Sequence, residues 1–286
     1  MIKPFLFGCV GAFALAACSP ATESESEPDT ASAAAEALET VLASDLRAED
    51  KARDTFRNPA ETLSFFQVEP DHTVIEYAPG GGWYTRILAP LVNDAGNYIA
   101  VSFPPSAARE SLGDEFVARI EASAASFSQT QSESLGIAAE RLPFHFGDSI
   151  PETVNGTVDR VLIVRMMHNL KRWGIDETEI AALRSALKPD GLLGVVQHRA
   201  QPDASDEFAD GNRGYLREAD LIAFFEGQGF ELVDTSELNA NPNDPTTHEN
   251  GVWALPPSFA GGEETAAEFE AIGESDRMTL LFRKAE

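Results

Sequence analysis

The chain is predicted to be an α/β protein built on a doubly wound, mostly parallel β-sheet. Three observations predict it. Short apolar runs rich in Val and Ile alternate along the chain with segments of helical period. The first strong run, Thr73–Ala78, passes straight into a glycine turn that opens a helix. Turn signals such as Lys188-Pro189-Asp190-Gly191 separate helix from strand. With 43% hydrophobic and 24% charged residues over 286, the chain has ordinary globular composition, which excludes wholesale disorder.

In chain order, residues 33–56 are alanine-rich, with Leu38, Val41, Leu42 and Leu46 at helical spacing. Asn58-Pro59-Ala60-Glu61 reads as a helix start. Asn58 is placed to cap, Pro59 suits the first helical position, and Glu61 can reach back to the cap. After Thr73–Ala78 a helix is expected from Trp83 to Val92, then a strand from Tyr98 to Phe103. A helical segment follows with Leu112, Phe116, Ile120 and Phe127 in phase. Leu142–Phe146 is a weaker strand ending at Gly147-Asp148, and Val158–Val164 a clear one. A helix over Asp176–Leu187 precedes a fifth strand, Leu192–Gln197. Glu218–Gln228 is helical, and Phe230–Val233 and Met278–Phe282 supply late strands. Residues 201–214 and 239–257 are long polar loops; loops beyond about 12–15 residues often carry binding surfaces. Substrate selection is expected there, with His248 and Trp253 as its test positions.

The first residues give an address. Lys3 precedes an apolar run too short to span a bilayer, which takes about 20 residues. The run ends Leu15-Ala16-Ala17-Cys18, which resembles a bacterial lipobox. That resemblance implies a signal peptide over residues 1–17 and lipid on Cys18. By analogy, Ser19 after the cysteine favours the outer membrane, on the periplasmic side of the cell envelope. Residues 18–36 carry Glu23, Glu25, Glu27, Asp29 and Glu36 with no basic residue, and read as an extended acidic tether. Residues 37–57 are then a helical segment and residues 58–286 the main domain. Acidic residues number 47 against 21 basic ones, for a net charge of −26, a field that repels phosphate backbones and argues against nucleic acid as a partner. Cys9 and Cys18 are the two cysteines, so the body holds no thiol nucleophile, disulfide or cysteine metal site.

A strand ending in a carboxylate, followed by a glycine turn and a helix, can hold a nucleoside. The glycines admit close approach, the helix start offers N–H groups, and Glu76 can accept from a ribose or amino group. Val74-Ile75-Glu76-Tyr77-Ala78-Pro79-Gly80-Gly81-Gly82 resembles the first motif of the class I S-adenosylmethionine-dependent methyltransferases. Gly147-Asp148, Leu187–Gly191 and Gln228-Gly229-Phe230 resemble later ones. The chain is most similar to a bacterial group of predicted, often exported, methyltransferases. Arg57–Thr62, Ala78–Thr85, His198-Arg199-Ala200 and Ser275–Met278 all fit that group's pattern. The resemblance spans residues 58–284. It implies a seven-stranded sheet with an antiparallel last strand. It also implies S-adenosylmethionine as cofactor, held by Glu76, Ala78, Gly80, Gly81, Gly82, Ser102 and Asp148. The chain departs from the pattern twice: Ala78 stands where the motif has its first glycine, and Ser102 where the family has an acid for the ribose hydroxyls.

Ligands of open α/β sheets bind beyond the carboxyl ends of the strands, where Glu76, Ser102, Asp148, His168-Asn169 and His198-Arg199 all fall. His168 and His198 are the candidate catalytic residues, since an imidazole suits proton transfer near neutral pH. Each could equally be a packing histidine. Arg199 either clamps an acidic substrate or pairs with a nearby carboxylate. Trp83 either covers the cofactor or anchors its helix. His145 and His72 are read as structural. The expected function is a lipid-anchored methyltransferase acting on a small-molecule or lipid acceptor. The alternative is a binding module that keeps the fold without the chemistry. A third reading, a zinc hydrolase using Glu76, His168 and His198, ranks last because their spacing forms no compact metal motif, and no resident metal is expected.

Overall fold

The computed structural model describes Met1 and residues 30–285. The lipobox, Cys18 and the acidic run as far as residue 29 lie outside the described residues. Helix α1, Thr30–Ala43, starts earlier than the spacing suggested, so the end of the expected tether is helical; its alanines are the strongest helix formers. The helix stops at Ser44, whose Oγ accepts the Leu46 N–H at 3.2 Å. Residues to Phe56 therefore do not continue it. They fold into 3₁₀ turns around Arg47, fully buried, whose guanidinium grips both oxygens of Asp54 at 2.6 and 3.1 Å. Short helices α2, Asp54–Arg57, and α3, Pro59–Phe65, meet at Asn58. Asn58 does not cap: it sits at φ 41° and its side chain donates to the Leu238 carbonyl at 2.6 Å. Pro59 occupies the first turn as expected.

The sheet then begins with β1, Thr73–Tyr77, and α4, Thr85–Val92. Next come β2, Asn97–Ser102, α5, Arg109–Leu135, and β3, Phe144–Phe146. β4, Val158–Val164, leads into α6, Met167–Trp173, and α7, Asp176–Ala186. β5, Leu187–His198, α8, Glu218–Gly227, β6, Phe230–Ser236, α9, Glu263–Ile272, and β7, Arg277–Lys284, complete the chain. The strand order is β3-β2-β1-β4-β5-β7-β6. β1 to β5 are parallel, and β7 runs antiparallel between β5 and β6. Alternate residues feed two cores. Ile75, Tyr77, Val161 and Ile163 face one side; Val74, Ala100 and Leu162 face the other.

Several boundaries moved. The Lys188–Gly191 turn is absorbed as an irregularity of β5: Val158 pairs with Leu187 and Arg160 already with Leu192. Leu112 is exposed and Phe116 and Ile120 only half-buried, because Gly113 (φ 79°) breaks the start of α5 and swings that stretch off the sheet. Helices α6 and α9 were not anticipated. In β5, Gly194 leaves room for the ring of Phe66, which lies where a Cβ would stand and lets α3 press onto the sheet.

Candidate functional site

The order of strands reverses between β1 and β4, and at such a switch point the loops diverge and open a crevice at the carboxyl edge. Two cavities lie there. The first, about 380 Å³, holds Glu76, Arg165, His168, His198 and Trp253 in its lining. The second, about 240 Å³, has Ser102 in its lining and Phe103, Phe116, Phe127 and Trp173 as aromatic walls. The turn Ala78-Pro79-Gly80, with Met166 and Asn169, lines both and divides them.

The turn is built for close approach. Gly80 and Gly82 sit at φ 54° and 77°, where L side chains are strained. A Cβ on Gly81 would meet nothing, and Gly80 would meet only the Ala78 carbonyl at 3.9 Å. The Gly82 N–H is taken by the Pro79 carbonyl at 2.9 Å, while among the described residues no acceptor engages the N–H of Gly80 or Gly81. Ala78 adopts the same left-handed conformation, φ 54°, in place of the motif's glycine.

Glu76 is buried at the floor of the first cavity. Tyr98 Oη and Thr85 Oγ1 both donate to its Oε2, at 2.6 and 2.7 Å. Burial pushes the carboxyl up to about 7, and these hydrogen bonds and the Arg86 charge only partly restore it. Arg86 is itself held by Asp50 at 2.5 and 2.7 Å. Trp83 does not plug the hollow. Its indole donates to the Asp50 carbonyl at 3.3 Å, and the Arg57 guanidinium lies 4.7 Å above its ring. The segment 45–57, set apart in the sequence reading, thus forms one wall: Asp50, Arg53 and Arg57 all line the cavity.

His168 lies in α6 rather than a loop, 3% exposed, its ring 5.4 Å from that of His198 and 5.9 Å from Trp253. Gln197 decides its tautomer. The Gln197 amide nitrogen donates to the Gly214 and His198 carbonyls at 2.8 and 3.3 Å, so its Oε1 faces His168 Nδ1 at 3.3 Å. Nδ1 therefore carries the proton and Nε2 the lone pair. Burial drives His168 down to about 3, and the nearby Arg172 and Arg165 charges act in the same direction. His198 is held well below its ordinary value by burial, then by His168 and Arg165; its Nδ1 lies 2.5 Å from Ser275 Oγ. Both imidazoles are neutral at pH 7.

Not every expected residue converges here. Glu76, Ala78, Gly80, Gly81, His168 and His198 line the first cavity, and Ser102 lines the second. Asp148 lines neither: Gly147 packs directly against the Glu179 carboxylate, and Asp148 turns out to solvent. Gly82 shapes the turn from behind, where its neighbour is Arg86 Nη1. Arg199 is spoken for by Glu218, Glu237 and Asp276. Trp253 lines the first cavity, but His248 bonds Asp244 at 2.9 Å away from it, and residues 201–214 stay outside. Among the described residues no three His, Cys, Asp or Glu side chains are placed to hold a metal. Among the lining residues missed were Arg165, Arg53 and Glu274. A signal for part of the site was present: the four separated stretches that fit the methyltransferase pattern bring Arg57, Ala78–Gly81, His198 and Ser275 to one cavity.

No protein-family model and no curated protein sequence matches this chain. Solved structures are similar to it. A SAM-dependent methyltransferase from Aquifex aeolicus is 16% identical, with a TM-score of 0.48 over 70% of this chain and 92% of that one. A 1,6-didemethyltoxoflavin-N1-methyltransferase from Burkholderia thailandensis, bound to that compound and S-adenosylhomocysteine, is 14% identical, with a TM-score of 0.46 over 92% and 93%. The [4+2]-cyclase SpnF is 15% identical, with a TM-score of 0.49 over 80% of each chain. The strand order, with β7 antiparallel inside the edge, decides the architecture. This is the class I methyltransferase fold. A fold hosts many chemistries, so function is argued from the site.

Proposed function

We propose that the chain is an S-adenosylmethionine-dependent methyltransferase, lipid-anchored through Cys18 on the periplasmic side of the cell envelope and acting on a small-molecule or lipid acceptor. The observation that carries the reading is the glycine turn itself, with two unengaged N–H groups, set between a carboxylate-floored cavity and an aromatic one. These residues fit the cofactor. Glu76 would accept from its amino group, and Gly80 and Gly81 would lie against its chain. Ser102 would give one hydrogen bond to a ribose hydroxyl, with the aromatic walls of the second cavity left for the base. Ser102 offers one hydroxyl where a carboxylate would offer two acceptors, a difference of about 1.5–3 kcal/mol. When bound, S-adenosylmethionine supplies an electrophilic methyl group whose bond to sulfur breaks, with its electron pair left on sulfur, as the acceptor's lone pair bonds carbon.

The chain's own part is alignment and exclusion of water. His168 Nε2 can accept a proton, but its depressed basicity makes it a weak base, suited to acceptors that need little deprotonation. Calorimetry of the purified full-length chain with S-adenosylhomocysteine tests the reading: saturable binding is expected, lost in Glu76→Ala. Undetectable binding by the wild type would overturn it. Binding without methyl transfer to any acceptor would instead favour a binding module, for which the strained Ala78 and the missing acid at Ser102 speak. For the anchor, mass spectrometry of protein from cells should find a diacylglyceryl group on Cys18. An intact, unmodified N-terminus would refute it.

A further inference from the structure

We propose that the first cavity binds its acceptor through a carboxylate, gripped by the guanidinium of Arg165 with that of Arg57 beside it. The proposal rests on the methyltransferase reading and adds the chemical class of the acceptor. Arg165 follows β4 at φ 55°, a conformation unfavourable for a side-chain-bearing residue, and lines the cavity. It forms no side-chain hydrogen bond or ion pair among the described residues, and its buried Nε has no partner. Arg57, 3% exposed, engages Glu274 through Nε at 3.2 Å but leaves its buried Nη2 free.

The carboxylate whose charge acts on Arg165 is already shared. Glu274, 4% exposed on its side chain, accepts from Arg53 at 2.7 Å, Arg57 at 3.2 Å and Arg277 at 3.1 Å. Three guanidinium groups therefore hold this carboxylate, and the charge of a fourth, Arg165, acts on it without an ion pair. Carboxylates are not scarce in this chain, which holds 47 acidic residues against 21 basic ones. Arg47, Arg86 and Arg199 each have acidic partners of their own. Burial lowers Arg165 and Arg57 to about 10, so both remain charged at neutral pH. A partly desolvated cation without a partner is costly. A planar fork of N–H donors matches a carboxylate in shape as well as charge.

Two further features narrow the ligand. Glu76 and Glu274 share the cavity, which disfavours a dianion, and the indole of Trp253 and the thioether of Met166 offer an apolar wall. Arg165 also stands on the acceptor side. Its charge acts on His168 and His198, whereas the cation that acts on Glu76 is Arg86. An acceptor that arrives ionised also asks little of a weakly basic His168.

The test uses benzoate and its neutral isostere benzamide as probes, titrated into the full-length chain with and without S-adenosylhomocysteine. Benzoate should bind at least about tenfold more tightly than benzamide, and Arg165→Gln should erase the difference. Arg165→Lys, which keeps the charge but loses the fork, should retain part of it; Arg109→Gln, on the exposed surface, should retain all of it. Affinities for S-adenosylhomocysteine and 5′-methylthioadenosine should be unchanged by Arg165→Gln. Equal affinity of the wild type for the two probes, including no measurable binding of either, overturns the proposal without recourse to any variant. So does an Arg165→Gln variant that weakens S-adenosylhomocysteine but not 5′-methylthioadenosine, since the carboxylate held would then be the cofactor's. Arg165-dependent binding of inorganic phosphate without binding of benzoate would also overturn it. Failure of the methyltransferase reading shows separately, as loss of S-adenosylhomocysteine binding with the benzoate preference intact.

Discussion

At Glu76 the protein places a carboxylate in the cavity lining where burial makes ionisation expensive, then offers it two hydroxyl donors. With its carboxyl near 7, the group is mostly neutral at pH 6 and mostly ionised at pH 8. Affinity for S-adenosylhomocysteine should therefore rise by up to about tenfold across that range, and the rise should vanish in Glu76→Gln. A flat calorimetric profile in the wild type would remove Glu76 from the binding site. Ala78 carries a different tension. Its left-handed backbone costs about 1–2 kcal/mol that glycine would not, partly offset by glycine's greater freedom when unfolded. Ala78→Gly should change stability by no more than about 1 kcal/mol, in the favourable direction, whereas Ala78→Val should cost more than that. Denaturant midpoints of the two variants decide it.

The elements depend on two close approaches. The 3₁₀ segment before α2 is tied to the glycine turn by the Asp50–Arg86 fork and by the Trp83 indole on the Asp50 carbonyl. Asp50→Ala should cost about 1–3 kcal/mol and raise amide exchange across residues 45–57 while leaving the central strands protected. Uniform loss of protection would show that this wall is not a separable unit. Where α3 meets the sheet, a methyl group at Gly194 would stand 2.5 Å from the Phe66 ring. Gly194→Ala should therefore destabilise by about 1–3 kcal/mol through overpacking, and Phe66→Ala in the same chain should relieve part of that penalty.

Over the whole molecule, charge and burial act together. Glu76 and Glu179 both titrate near 7 in the folded chain, chiefly through burial, against an ordinary value of 4.5. The native state thus holds extra protons between those values. Their contribution to stability is complete below about 4.5 and is lost as pH rises through 7. Self-repulsion at a net charge of −26 works in the same direction. The melting temperature should be higher at pH 5.5 than at pH 8.5, and Glu76→Gln with Glu179→Gln should shrink the gap. Added salt should raise the melting temperature at pH 8.5 by screening. A melting temperature that climbs with pH over this window would contradict the assignment.

Local pattern was enough to mark Val158–Val164, Thr73–Tyr77 and the glycine turn, because alternation and glycine are properties of adjacent residues. It also placed Glu76, His168 and His198 at the correct edge, since every parallel strand ends on the same side. It could not show that Arg165 has no ion-pair partner among the described residues, that Glu274 is shared by three arginines, or that Asp148 faces water. Those facts concern which groups share a cavity after α3 closes on Gly194 and the segment 45–57 folds over the turn. Partnership among charges separated by a hundred residues or more of chain is set by packing, not by spacing along the sequence.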